Sequence, residues 1–177
     1  MKTYIALLKG IDVGGHKKVP MAKLRELLNS EGFENVQTYI QSGNIILQSS
    51  DAAASVEEKI HKAILSHFGF DVPVIVKTRE ALQTIFDASP FAKEKREKSY
   101  FIILNAVPEV GLVQEAEKIS YENEEFKIIK NGLYFHSSAG YGKAKFNMNT
   151  FERKLNVIGT ARNYNTMVKL LSLSAEN

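Results

Sequence analysis

Apolar positions in the first 78 residues form short continuous runs that alternate with stretches of helical spacing. Four runs predict strands: Thr3 to Leu8, Asn35 to Ile40, Ile45 to Gln48 and Val72 to Lys77. Apolar residues three and four apart follow Pro20 and Ser55 and predict two helices. Glycines at 32 and 69 are placed to end these helices. The resulting order, β-α-β-β-α-β, is that of a ferredoxin-like unit.

The same order recurs after a connector at residues 79–98. The predicted elements are a strand from Ser99 to Leu104, a helix from Glu109 to Ile119, strands from Glu124 to Ile129 and from Leu133 to Ser137, a helix from Thr150 to Leu155 capped by Asn149, a short strand near Val157 to Ala161 and a last helix from Asn165 to Leu173. We therefore predict an α+β fold of two tandem ferredoxin-like halves, residues 1–78 and 99–177, with mainly antiparallel sheets. The repeat rests on element order, since the halves share no evident sequence identity.

This topology places two connections side by side. The first two strands of such a half are parallel, so both end at the same edge of the sheet. A glycine-rich basic loop from Gly10 to Lys18 follows the first strand, and a turn from Gln41 to Asn44 follows the second. We expect these connections to be neighbours, and their shared edge is the leading candidate for a functional site.

Composition is that of an ordinary globular protein. The 177 residues are 44% hydrophobic and 24% charged, which excludes a disordered chain. No apolar run approaches the roughly 18 residues that span a membrane, and the N-terminus lacks the pattern of a signal peptide. We expect a cytoplasmic monomer. The absence of cysteine excludes disulfides and thiolate sites.

Charge is unevenly distributed although the net charge is only +3. Residues 1–30 carry six lysines or arginines against two acids, and residues 143–177 carry six against two. The two basic ends would form one positive surface if they met in space. Simple solvation of two helical faces explains the same pattern.

Glycines and lysines after a strand suggest anion binding. Free amides of the Gly10 to Lys18 loop and of the following helix attract phosphate or carboxylate groups, although a tight strand-to-helix connection would need the same glycines. The loop matches neither a Walker A motif nor Gly-x-Gly-x-x-Gly. A second glycine-basic loop and a donor-rich segment lie near the C-terminus. The candidate ligand-binding residues are Gly10, Asp12, Gly14, Gly15, Lys17, Lys18, Ser42, Asn44, Lys143, Lys145, Arg162 and Asn163.

Metal, cofactor and catalytic signatures are weak. His61 and His67 are six apart and do not share a helical face as ligands four apart would, so we predict neither a metal site nor a cofactor. Asp12 and His16 are a conceivable acid-base pair, but nothing supplies the third group that orients a base. Whether the protein is an enzyme is left open.

Six segments together resemble a bacterial family known as domain-of-unknown-function family 1697. They are Ala6 to Gly15, Lys18 to Arg25, Thr38 to Ile45, Gly140 to Lys145, Phe151 to Leu155 and Thr160 to Met167. The resemblance runs along almost the whole chain, and it implies two ferredoxin-like halves but no established activity.

This chain departs from the family pattern at three positions. The family usually has Arg and Asn where Lys9 and Asp12 stand, and Ser where Ala144 stands. The Asp12 carboxylate makes the first loop less attractive to anions, and Ala144 offers no serine nucleophile.

Three hypotheses of function follow. The leading one is binding of a small anionic, phosphate- or nucleotide-like ligand at the glycine-rich loop. The second is non-specific binding of nucleic acid through the two basic ends. We do not expect an exposed sheet face on which aromatic side chains stack bases, because the strands are apolar on both faces and indicate a sheet that is covered on both sides. The third is a structural or protein-interaction module that has no ligand.

Overall fold

The computed structural model describes residues 1–176. The elements of the first half are β1 (Lys2–Leu8), α1 (Met21–Ser30), β2 (Glu34–Tyr39), β3 (Asn44–Ser49), α2 (Ala53–Phe68) and β4 (Val74–Thr78). The connector holds α3 (Arg79–Asp87) and α4 (Lys93–Glu97). The second half contains β5 (Tyr100–Leu104), α5 (Val110–Ala116), β6 (Glu124–Ile129), β7 (Gly132–Ser137), a 3-10 turn at Tyr141–Lys143, α6 (Met148–Leu155), β8 (Gly159–Asn163) and α7 (Tyr164–Ala175).

Two four-stranded antiparallel sheets share one topology. The strand orders are β2-β3-β1-β4 and β6-β7-β5-β8. In each sheet the first strand of the half lies between the third and the fourth and is antiparallel to both. The fold is thus α+β with two tandem ferredoxin-like halves, as the element order predicts.

Hydrogen bonds at the end of each first strand identify equivalent residues in the two halves. The N–H of Leu8 donates to Gly43 O at 2.8 Å, and the N–H of Leu104 donates to Asn131 O at 2.9 Å. One residue later, Lys9 donates to Pro73 O and Asn105 donates to Ile158 O. The repeat therefore extends to the register of single residues, although it is not visible in the sequence.

Apolar burial explains why these strands are continuous hydrophobic runs. In β1, residues Tyr4 to Leu8 are 0–1% exposed, so both faces of the strand are buried. Leu24 and Leu28 of α1, with Val56, Ile60 and Ile64 of α2, pack in one cluster with alternate residues of the first sheet. Burial of each such side chain stabilises the fold by roughly 1.5–3 kcal/mol.

The described chain is divided into two compact units. The first unit is Met1–Gln83 together with the residues from Lys169 onward, and the second is Thr84–Val168. The division falls within α3 and within α7. Domain boundaries at residues 78 and 98 remain a prediction. No helix among residues 1–176 combines the length and the apolar character that crossing a membrane requires.

Three details of the second half and of α2 differ from the predictions. Asn147 caps α6 by accepting a hydrogen bond from Thr150 N, so the predicted cap at Asn149 is wrong. The strand predicted near Val157 to Ala161 is β8 and begins at Gly159. Helix α2 begins at Ala53 without a side-chain cap, ahead of the Ser55 start that the sequence suggested.

Candidate functional site

The glycine-rich loop and the β2–β3 turn are neighbours at one edge of the first sheet. Leu7 pairs with Asn44, and the Leu8 hydrogen bond to Gly43 closes the ladder. Gly43 has a φ of +78°, and a Cβ there would lie 2.6 Å from Leu8 Cβ and 2.9 Å from Ile11 Cδ1. Only glycine fits between the turn and the loop, because both the backbone angle and the space exclude a side chain.

The loop itself folds back as a miniature hairpin. Asp12 N–H donates to Lys17 O at 3.1 Å, and His16 N–H donates to Val13 O at 3.0 Å. The turn is made by Gly14 and Gly15, whose φ angles are +59° and +78°. Among the described residues, neither glycine N–H has an acceptor. These hydrogen bonds fix the loop and leave two exposed amides at its tip.

Lys17 anchors the loop to the residue stretch before β4. Its ammonium donates to Asp71 O at 2.6 Å, and the Asp71 carboxylate contacts His61 Nε2 at 2.5 Å. One of the three N–H donors of the Lys17 ammonium is therefore used in a hydrogen bond within the protein. Lys18 is exposed and has no hydrogen bond or ion pair within residues 1–176. Of the two lysines, Lys18 is the one available to a ligand.

Helix α1 begins without a side-chain cap. Pro20 occupies the N-cap position in an extended conformation, and its φ of −61° suits the entry into a helix. Gln41 Nε2 donates to Val19 O at 2.8 Å and so ties the helix start to the β2–β3 turn. In the described chain the N–H groups of residues 21–23 have no acceptor. The helix therefore presents unsatisfied donors and the positive end of its dipole.

Asn44 organises the turn rather than facing outwards. It is 0% exposed, and its amide nitrogen donates to Tyr39 O at 3.0 Å and to Ser42 Oγ at 2.9 Å. Both amide hydrogens are thus used within the turn. Asn44 and Ser42 lie beside the loop as predicted, and the contacts give Asn44 a positioning role.

The remaining four candidates belong to the second unit. Lys143 ends the 3-10 turn, and the N–H of Lys145 donates to the Glu124 carboxylate. Asn163 Oδ1 accepts from Thr166 N at 2.9 Å and caps α7. Arg162 is 7% exposed and donates to Thr160 Oγ1 and Ala161 O. Burial lowers the pKa of Arg162 to about 10, so it stays charged at neutral pH.

Sequence reasoning missed the residues that hold the loop in place. Asp71 accepts from Lys17 across 54 positions of sequence, and no local pattern marks such a pair. Gln41 was recognised only as part of a turn, and its contact with Val19 depends on the sheet edge. No group of three or more His, Asp or Glu side chains within residues 1–176 is placed to hold a metal ion. The arrangement thus offers backbone and lysine donors.

Comparison with known proteins now places this chain in a family. The sequence profile of a family described as "Protein of unknown function (DUF1697)" matches residues 1–134. The chain belongs to this family. The match includes the whole loop-and-turn edge, whereas Lys143, Lys145, Arg162 and Asn163 lie beyond the matched residues. No curated protein matches the chain.

A solved structure is similar to this chain over almost its full length. It is described as the structure of conserved bacterial protein SP0830 from Streptococcus pneumoniae. The two chains are 26% identical, the similarity covers 98% of each, and the TM-score is 0.80. Both halves of the fold therefore recur in this relative.

Proposed function

We propose that the edge formed by the Gly10 to Lys18 loop and the start of α1 binds a small anionic ligand of the phosphate or nucleotide type. The observation that carries the proposal is a set of donors without acceptors. Five amides, those of Gly14, Gly15 and residues 21–23, have no acceptor among the described residues. Lys18, which has no hydrogen bond or ion pair within residues 1–176, lies between these two groups of amides in sequence. Such amides at glycine turns and helix starts suit phosphate oxygens.

The backbone supplies most of the expected affinity. A hydrogen bond to a charged group contributes about 1.5–3 kcal/mol, whereas an exposed ion pair with Lys18 contributes at most about 1 kcal/mol. The Asp12 carboxylate, exposed on the same loop, opposes an anion by like-charge repulsion. Affinity should therefore be modest and sensitive to salt.

Nucleic-acid binding has less support. The central strands of both sheets are buried on both faces, as Tyr4 to Leu8 and Phe101 to Leu104 show. A stacking platform of the RNA-recognition type requires exposed aromatics on such strands. Only electrostatic contacts with backbone phosphates remain, and these predict binding that falls steeply with salt. A flat salt dependence would argue against that alternative.

Isothermal titration with inorganic phosphate, pyrophosphate and a panel of mononucleotides tests the proposal. We expect saturable binding of at least one probe, weakened about two- to fivefold by Lys18→Ala. Lys154→Ala removes another exposed lysine, from α6 in the second unit, and should leave binding unchanged. Absence of heat for every probe, or equal losses in both variants, would refute the proposal.

A cytoplasmic, monomeric protein is part of the same proposal. Nucleotides and phosphorylated metabolites are held in the cytoplasm, and the loop-and-turn edge is complete within the first unit of one chain. Fractionation of cells and light scattering of the purified protein check these two points. Recovery in another compartment, or a dimer at micromolar concentration, would contradict them.

A further inference from the structure

A second concave region lies in the first unit, at the opposite end of β1 from the glycine-rich loop. Its volume is about 700 Å³, which falls in the usual range for small-molecule sites. Its walls come from the first residues of β1, the junction of β4 with α3, and the last turn of α7. A seven-residue strand separates it from the loop by about 20 Å.

Hydrogen bonds within the first unit fix the walls of this cavity. Arg79 Nε donates to Leu171 O at 3.3 Å and ties the start of α3 to α7. Thr78 Oγ1 accepts from Ala81 N at 3.2 Å and caps α3. Ser174 is 3% exposed, and its hydroxyl donates to Leu171 O at 3.2 Å. A hydroxyl that donates once still has lone pairs with which to accept a bond from a ligand.

The charges around the cavity are predominantly positive. Its lining side chains include two cations, Lys2 and Arg79, and one carboxylate, Glu80. The pKa of Glu80 is lowered by hydrogen bonds from its own backbone N–H and from Thr78, with Arg79 and Lys2 adding to the effect. Both cations are therefore close enough to act on one carboxylate, and the field they create favours a further negative group.

We propose that this cavity is a second ligand site, which takes a small molecule bearing a phosphate or carboxylate group on a hydroxylated carbon skeleton. The Arg79 guanidinium and the Lys2 ammonium hold the anionic group. Glu80 and Ser174 accept hydrogen bonds from hydroxyls of the skeleton. This proposal is independent of the loop site, because none of its lining residues belongs to the Gly10 to Lys18 loop.

Isothermal titration of the untagged protein with glucose 6-phosphate, citrate and glucose tests the proposal. Terminal tags are avoided because Met1 and Ala175 line the cavity. We expect one or both acids to bind and glucose to give no heat, since it lacks the anionic group. Comparing the two acids tells whether phosphate or carboxylate is the preferred group. Binding of glucose as tight as that of its phosphate, or binding of neither acid, would overturn the proposal.

Three variants assign the binding to this cavity. Lys2→Gln changes an exposed side chain and should weaken acid binding about fivefold. Arg79→Gln should weaken it at least tenfold, and its thermal melt reports whether the Leu171 contact is needed for folding. Lys154→Gln, on α6 in the second unit, changes an exposed lysine that has no part in either site and should leave the affinity unchanged. Wild-type affinity in both Lys2→Gln and Arg79→Gln would place the ligand elsewhere and refute the assignment.

Discussion

Substitution of Gly43 by alanine tests the contact between the turn and the loop most sharply. Gly43 has a φ of +78°, and an added Cβ would lie 2.6 Å from Leu8 Cβ and 2.9 Å from Ile11 Cδ1. The left-handed backbone costs an alanine about 1–2 kcal/mol, and overpacking of a buried contact costs about 1–3 kcal/mol more. We therefore expect the free energy of unfolding to fall by about 2–5 kcal/mol.

Gly15→Ala is the matched control for this substitution. Gly15 has the same φ of +78°, but no atom lies within 4 Å of a Cβ built there. Its cost should therefore be the backbone term alone, about 1–2 kcal/mol. Urea denaturation of the wild type and both variants at equal protein concentration measures the difference.

Comparing the losses of stability in Gly43→Ala and Gly15→Ala separates the cost of the left-handed backbone from the cost of the steric clash. A larger loss for Gly43→Ala, with unchanged dependence on urea, is the expected result, because only at Gly43 would an added Cβ collide with neighbouring side chains. Equal losses in the two variants would refute the close approach of the turn to Leu8 and Ile11. Such a result would contradict the packing of the β2–β3 turn against the glycine-rich loop.

Three further predictions concern side chains. Tyr134 is 0% exposed and donates to Ile85 O at 2.6 Å, and burial raises its pKa to about 12. The unfolded chain therefore loses this proton at a lower pH than the folded chain, and the free energy of unfolding should fall by up to about 2 kcal/mol between pH 10 and 12. Urea melts of Tyr134→Phe should lack this decline. Asp12→Asn removes a repelling charge and should tighten phosphate binding about two- to fivefold by calorimetry; weaker binding would contradict the sign. Lys17→Ala breaks the contact with Asp71 and should speed hydrogen exchange of the Asp12 and His16 amides, whereas unchanged exchange would show that the anchor is dispensable.

Hydrophobic pattern was sufficient to predict the fold class. Continuous apolar runs such as Thr3 to Leu8 are buried on both faces, and this burial produces the pattern that identified them as strands. The position of the Gln41 to Asn44 turn beside the loop followed from topology alone, since parallel strands end at the same edge. Pro73 directly precedes β4, an edge strand of its sheet, where the N–H that proline lacks is not needed for a ladder hydrogen bond.

Contacts between residues distant in sequence could not be predicted in the same way. Lys17 was expected to face a ligand, but its ammonium donates to Asp71 O. Asn147 and Asn149 both suit a helix start by residue type, and only the backbone conformation decides that Asn147 is the cap. The repeat between halves appears in equivalent hydrogen bonds of Leu8 and Leu104, because a common fold requires a common register and not common side chains.

Titration of the ¹⁵N-labelled protein with inorganic phosphate, followed by amide NMR, shows whether the amides of the Gly10 to Lys18 loop and of the first turn of α1 bind an anion. We predict saturable downfield shifts of the Gly14 and Gly15 amides together with those of residues 21–23, and small changes in the second unit. Saturable shifts that leave these five amides unmoved, or no shifts at all, would contradict anion binding by these amides.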